Sequence, residues 1–306
     1  MDLQGCGTAL VTPFRADGSI DEPTLFDLAR RQVESGMDWL LACGTTGETP
    51  TLEDAEWLEV IRIVAEAAAG RVPVWAGCSH NSTRHAVAKA EAAAQIAGVT
   101  AILTANPWYN KPTQEGQFQH FRAIAEAVAL PVVLYNIPTR SVANLEPATV
   151  LRLVDAAPNI AAVKESSGNI VQIADLITQA PPGFRVYSGD DLLALATLGV
   201  GGAGLVSVVS NIIPAETSQM IRAALDGELA TALGIQRKYF RLMQGLFKES
   251  SPGPVKAILA MMGLLGEHYR LPMVPVQPAT RAYLEKLAAE VGLLSRESEP
   301  QTTHAS

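Results

Sequence analysis

"LPVVLYNIPTRSVANLEPATVLRLVDAAPNIAAVKE", residues 130–165, decides the fold. Two short apolar runs, LPVVLYN (130–136) and NIAAVKE (159–165), bracket a helical stretch. Each run is continuously apolar rather than alternating, the pattern of a parallel strand covered on both faces. The same rhythm extends outward. GTALVTPF (7–14), DWLLACG (38–44), RVPVWAG (71–77) and VTAILTAN (99–106) precede it; FRVYSG (184–189) and AGLVSVV (203–209) come after it. Eight runs spaced by roughly 20–35 residues are the spacing of βα units. They predict an α/β fold, a (β/α)8 TIM barrel, with an open doubly wound sheet as the alternative. The barrel is expected over 1–224, a C-terminal helical region over 225–294, and a disordered polar tail, SRESEPQTTHAS, over 295–306.

Helix starts are readable too. Asp21 before Glu22-Pro23 reads as an N-cap with proline in the first turn. Thr51 is expected to cap TLEDAEWLEVIRIVAEAAAG and Gly70 to close it. Leu58, Ile61, Val64, Ala65 and Ala68 share one face of that helix, the face predicted to pack on the sheet.

Composition narrows the function. The 306 residues are 48% hydrophobic and 18% charged, ordinary for a globular chain. A net charge of -8 argues against a nucleic-acid surface and an anionic membrane. Cys6, Cys43 and Cys78, an odd number without a CxxC, read as reduced thiols of a cytoplasmic protein. MDLQGCGTALVTPF lacks a basic n-region, so no signal peptide is expected. No apolar run reaches the ~20 residues that span a bilayer. The five histidines show no metal-ligand spacing, and neither metal nor cofactor is expected.

Barrel enzymes work at the carboxyl ends of their strands. The residues at the end of each run therefore carry information: GTTGE (44–48), NPWYNKP (106–112), YNIPTRS (135–141), Lys164, GDD (189–191) and Ser207. A lysine ending a core strand is unusual, because lysine is seldom buried unpaired. The bland reading pairs Lys164 with Glu165 or Asp190. The functional reading makes it a Schiff-base nucleophile. An ordinary lysine is neutral at pH 7 in only about 10⁻³ of molecules, and burial raises that fraction.

Tyr135 on the adjacent strand end suits proton transfer, or is a core aromatic with a bonded tip. Arg140 offers a fork for a carboxylate, or forms a loop salt bridge. Thr45 and Thr46 between glycines form a tight turn, or hold a small anion. GTTGE lacks the Gly-Lys-Ser/Thr of a nucleotide loop. GVGGAG (199–204), with Asp226 beyond it, matches GxGxxG in the wrong context, since its glycines precede a strand. Ser207 has no GxSxG context.

GTTGE, PWYNKPTQEG, YNIPTR, VKESSGN, SGDD and RLPM, in this order from Gly5 to about Leu294, resemble the dihydrodipicolinate synthase / N-acetylneuraminate lyase family of pyruvate-dependent class I aldolases. The resemblance implies that Lys164 forms the imine with pyruvate and Tyr135 moves protons. It implies that Thr46 contacts pyruvate and links the tyrosines in a proton relay, with Thr45 as its partner in GTTGE. Tyr109 would reach into a neighbouring subunit's site, which implies a dimer at least, and the family suggests a tetramer. Gly189 and Val206 would line the pyruvate pocket. Arg140 would receive the carboxylate of L-aspartate-4-semialdehyde and favours the synthase branch. A lyase or dehydratase acting on a sugar acid or a 4-hydroxy-2-oxo acid is the alternative within the family, and a non-enzymatic acid-binding barrel lies outside it. At the family's lysine-feedback pocket this chain matches in Asn81 and departs with Asp54, Trp57, His85 and Trp108, which predicts weak or absent inhibition by lysine.

Overall fold

The computed structural model describes residues 4–294; the tail at 295–306 lies outside the described residues. The chain runs β1 (Gly5–Ala9), α1 (Glu22–Glu34), β2 (Trp39–Ala42), α2 (Asp54–Ala68), β3 (Val74–Gly77), α3 (Thr83–Ala94), β4 (Val99–Ala105) and α4 (Gln114–Glu126). It continues through β5 (Val132–Asn136), α5 (Pro138–Ser141), α6 (Pro147–Ala156), β6 (Ile160–Glu165), α7 (Ile170–Gln179), β7 (Arg185–Ser188), α8 (Ala194–Gly199), β8 (Gly204–Ser207) and α9 (Pro214–Leu225). Three further helices complete it: α10 (Leu229–Gly245), α11 (Gly253–Met261) and α12 (Pro278–Glu290). Each strand pairs in parallel with its sequence neighbour, and β8 returns to β1. The sheet is therefore a closed barrel and not an open doubly wound one.

The strands are shorter than the apolar runs that announce them. The first run stops pairing at Ala9 because Asn211 takes over its backbone. The Asn211 amide donates to Ala9 O at 2.8 Å and its oxygen accepts from Val11 N at 3.2 Å. Residues 10–14 stay buried without being strand. Helix α2 also starts differently from expectation. Its N-cap is Glu53, whose amide donates to Glu56 Oε2 at 3.0 Å, while Thr51 belongs to the preceding 3₁₀ turn. A carboxylate two residues later wins over the hydroxyl because it can complete a reciprocal box with Glu56. At the other end Ala69 and Gly70 both take positive φ, 49° and 69°. Ile61, Val64, Ala65 and Ala68 are buried as expected, with Leu58 half-buried at the edge of the face. Asp21 does precede α1, but its carboxylate accepts from Thr24 Oγ1 at 2.8 Å rather than from a backbone amide.

Inside the barrel an aromatic plug fills the axis. The Trp39 and Trp75 rings stack at 4.9 Å, and Tyr187 leans on them at 5.2 and 5.5 Å. The plug explains a glycine in β1: a Cβ on Gly7 would overlap the Trp39 indole. Gly204, the last glycine of the GVGGAG stretch, opens β8, where a Cβ would collide with the Gly5 carbonyl. Close strand approach, not nucleotide binding, accounts for it. A second core cluster joins barrel residues such as Cys6 and Val11 to Val255, Ile258 and Leu284 of the C-terminal helices. The C-terminal segment thus packs directly on the barrel. All three cysteines are free and buried. No helix among the described residues is long and apolar enough to cross a membrane.

Candidate active site

Strands β5 and β6 bring the two central side chains together. In register, Tyr135 lies beside Lys164, and Lys164 beside Tyr187. Lys164 is 5% exposed, and its Nζ sits 4.2 Å from the centre of the Tyr135 ring. Alternation along the strand sends Lys164 and Glu165 to opposite faces. Glu165 accepts from Asn136 Nδ2 at 3.1 Å and from Ser167 N at 2.7 Å. Asp190 accepts from Leu192 N at 2.9 Å. Neither carboxylate suggested as a structural partner is paired with Lys164, and no ion pair among the described residues involves it. Desolvation pulls its pKa down to about 8, with the Asp191 carboxylate opposing and Arg140 assisting. An amine of that pKa is neutral in about a tenth of molecules at pH 7, against about a thousandth for an exposed lysine.

Burial pushes Tyr135 up to about 12, against the pull of the Ser166 and Thr45 hydroxyls and the Arg140 charge. Its hydroxyl is therefore protonated at neutral pH and can donate. Ser166 Oγ is buried and makes no hydrogen bond of ordinary geometry. The backbone of Gly189 passes so close that a Cβ there would overlap both Ser166 Oγ and the Lys164 chain. Gly189 thus forms a wall of the lysine site because it has no side chain. Val206 is fully buried and belongs to the inner-barrel cluster with Tyr135 and Tyr187.

The GTTGE stretch forms a 3₁₀ turn over Thr45–Gly47. Thr46 is buried and Thr45 half-buried. Two residues of this neighbourhood carry weight that their motifs do not announce. Glu48, which ends the turn, forms an ion pair of 2.6 Å with Lys256 of α11, and both side chains are almost wholly buried. Asp191 accepts from Ser207 Oγ at 2.6 Å and from Val208 N and Val209 N at 3.1 Å each. Burial raises its pKa to about 6 despite these bonds. It anchors the end of β8 and, through it, Val206.

Arg140 stands on the four-residue α5, mostly exposed, and donates to Ser251 O at 3.2 Å. It lines a cavity of about 690 Å³ with Thr45, Ala105, Ile137, Trp57, Trp108, His80 and His85. Lys164 and Tyr135 do not line this cavity; it adjoins their site across Thr45 and Arg140. Tyr109 stands apart from the other site residues. It is 87% exposed with φ +72°, held out on a loop where Asn81 Nδ2 donates to Trp108 O at 3.4 Å. Within one chain it touches neither Lys164 nor Tyr135 through any hydrogen bond or ring contact.

Comparison with known proteins identifies the family. The model of the Dihydrodipicolinate synthetase family matches residues 2–291. The chain belongs to this family. It is 67% identical, over 98% of its length and 100% of the relative's, to a 4-hydroxy-tetrahydrodipicolinate synthase of Acidobacterium capsulatum. It is 59% identical, over 96% and 98% of the two chains, to one of Koribacter versatilis. Among solved structures, the dihydrodipicolinate synthase from Aquifex aeolicus superposes with a TM-score of 0.93 at 37% identity, covering 96% of this chain and 100% of that one.

Proposed function

We propose that this chain is a 4-hydroxy-tetrahydrodipicolinate synthase, a lyase that condenses pyruvate with L-aspartate-4-semialdehyde through a Schiff base on Lys164. The observation that carries the reading is the buried Lys164 amine, unpaired with any carboxylate and set against Tyr135. Its lowered pKa supplies the neutral nucleophile such chemistry needs. Attack of Nζ on the keto carbon of pyruvate gives a carbinolamine. The Tyr135 hydroxyl, protonated at neutral pH, donates to the departing oxygen, and water leaves as the imine forms. The protonated imine then draws electrons from the neighbouring methyl group, which loses a proton to give an enamine.

The enamine carbon attacks the aldehyde and forms the new C–C bond. The amino group of the extended chain next attacks the imine carbon, closing the ring and expelling Lys164 as a free amine. Thr45 and Thr46 are assigned to the pyruvate side, Gly189 and Val206 to the pocket wall, and Arg140 to the aldehyde's carboxylate. Arg140 at the rim of the cavity is the feature that favours this substrate over a neutral sugar aldehyde. Tyr109, exposed and held out from its own barrel, suits a residue that completes a second subunit's site. The assembly is then at least a dimer, with a tetramer built from two of them. Three free, buried thiols suit a cytoplasmic enzyme.

The test is a coupled assay with pyruvate, the semialdehyde, dihydrodipicolinate reductase and NADPH. NADPH oxidation should require both substrates and fall by at least about 10³-fold in Lys164→Ala. Borohydride with pyruvate should label wild-type Lys164 and leave Lys164→Ala unlabelled. Labelling without NADPH oxidation would move the substrate to another aldehyde; no labelling would remove the aldolase reading.

A further inference from the structure

Two parts of the barrel mouth hang on one short stretch of the C-terminal segment, residues 251–256. Lys256 is fully buried, with Nζ 2.6 Å from Glu48 Oε1 and 3.1 Å from Thr12 O. Thr12 Oγ1 donates in turn to Gly47 O at 2.8 Å. Lys256, Thr12, Gly47 and Glu48 thus form a closed circuit around the turn that presents Thr45 and Thr46. Glu48 also joins two turns through its main chain. Its amide donates to Thr45 O at 3.2 Å, and its carbonyl accepts from Thr51 N at 2.9 Å. It does so at φ 53°, ψ 31°, a left-handed conformation uncommon for a residue with a side chain. Such a conformation persists where the surroundings over-determine it. At the other end of the same stretch, Ser251 O accepts from Arg140 Nη2 at 3.2 Å.

Stability does not explain a buried ion pair, since packed apolar side chains of like volume often serve as well or better. We propose that Glu48 and Lys256 are a positioning pair. Through them the 251–256 stretch sets where Thr45 and Thr46 stand against the lysine site, while Ser251 O steadies Arg140 on the far side. One bracket therefore holds both halves of the mouth, the half assigned to pyruvate and the half assigned to the aldehyde. What the threonines bind rests on the proposed function; their placement does not.

The test compares wild type with Glu48→Gln/Lys256→Met, which removes both charges together, and with Thr12→Val, which cuts the other arm of the circuit without touching a charge. The double variant should melt near wild type, yet lose about 10–100-fold in kcat/KM for pyruvate. The pyruvate concentration for half-maximal borohydride trapping should rise with it. Thr12→Val should shift the same curve by about threefold in the same direction. Amide exchange over 44–52 should quicken in both. Wild-type trapping and exchange in a folded double variant would overturn the proposal, because a purely structural pair predicts that result. If the double variant does not fold, an unmoved Thr12→Val overturns it equally. If the wild-type protein traps no pyruvate, the functional reading falls, and the exchange data alone decide the positioning claim.

Discussion

Two lysines are buried among the described residues, Lys256 and Lys164, and they differ in how they are partnered. Lys256 lies between the rings of Phe14 and Tyr269, at 4.5 and 4.8 Å, with the Glu48 carboxylate in hydrogen-bond contact. Lys164 lies 4.2 Å from the Tyr135 ring with no carboxylate paired to it. Burial lowers the pKa of both; Glu48, in hydrogen-bond contact, works against that lowering at Lys256, and Asp191, by charge alone, at Lys164. A buried cation hydrogen-bonded to a counter-ion is a structural tie. A buried cation without one is poised to lose it. The partner, not the burial, separates a scaffold lysine from one suited to act as a nucleophile.

That contrast is open to attack by substitution. The largest expected stability effect is at the paired site. Lys256→Met alone strands the Glu48 carboxylate and should cost about 3–5 kcal/mol, read by urea unfolding. The unpaired site should respond with the opposite sign. Lys164→Met should stabilise the fold by about 3 kcal/mol at pH 7. Below about pH 8 both the folded and unfolded chains hold the proton, so wild type bears the full cost of burying it. As pH rises from about 8 toward the unfolded value, the folded chain sheds the proton first and the gain should shrink, vanishing once the unfolded chain sheds it too. A gain that is constant with pH would mean Lys164 is not buried as a cation. The same pKa predicts that the rate of pyruvate trapping climbs with pH and levels off near 8.

A smaller effect belongs to Arg140. Arg140→Ala should raise KM for the semialdehyde by about 10–100-fold, the worth of charge-assisted hydrogen bonds to one carboxylate, and leave pyruvate trapping intact. Smallest of all is the response to lysine. The outer cavity offers one carboxylate among its lining residues, Asp54, and Lys89 already holds it at 3.0 Å. Lys89 also stands 4.3 Å over the Trp57 ring, and His80 and His85 lie 4.7 Å apart beside it. An added ammonium group finds no free anion there. Initial rates at millimolar lysine should match those without it, and strong inhibition would break this reading.

Much of the barrel is legible because parallel strands covered on both faces read as uninterrupted apolar runs. Lys164 and Tyr135 are legible because a polar residue that ends such a run stands at the mouth. The remainder is hidden for identifiable reasons. Strand β1 ends where Asn211, some two hundred residues away, intercepts its backbone, and no local pattern announces that. The Glu48–Lys256 pair likewise spans most of the chain. Glu48 is visible inside GTTGE, but its partner looks like one more surface lysine. Asp191 sits in the GDD cluster at the mouth, yet only the fold turns it toward Ser207 and the amides after β8. Sequence shows what a strand end offers; it does not show which distant side chain answers it.

The stacked indoles of Trp39 and Trp75, closed by Tyr187, make the barrel a blind tube. Traffic in such a tube is single-file. Under the proposed function, pyruvate, the water released as its imine forms, the second substrate and the finished ring all share one doorway. Whatever enters first lies deepest, so under the proposed function the aldehyde assigned to Arg140 arrives behind pyruvate and covers it. The order of addition is thus set by architecture, and the reaction runs as a queue.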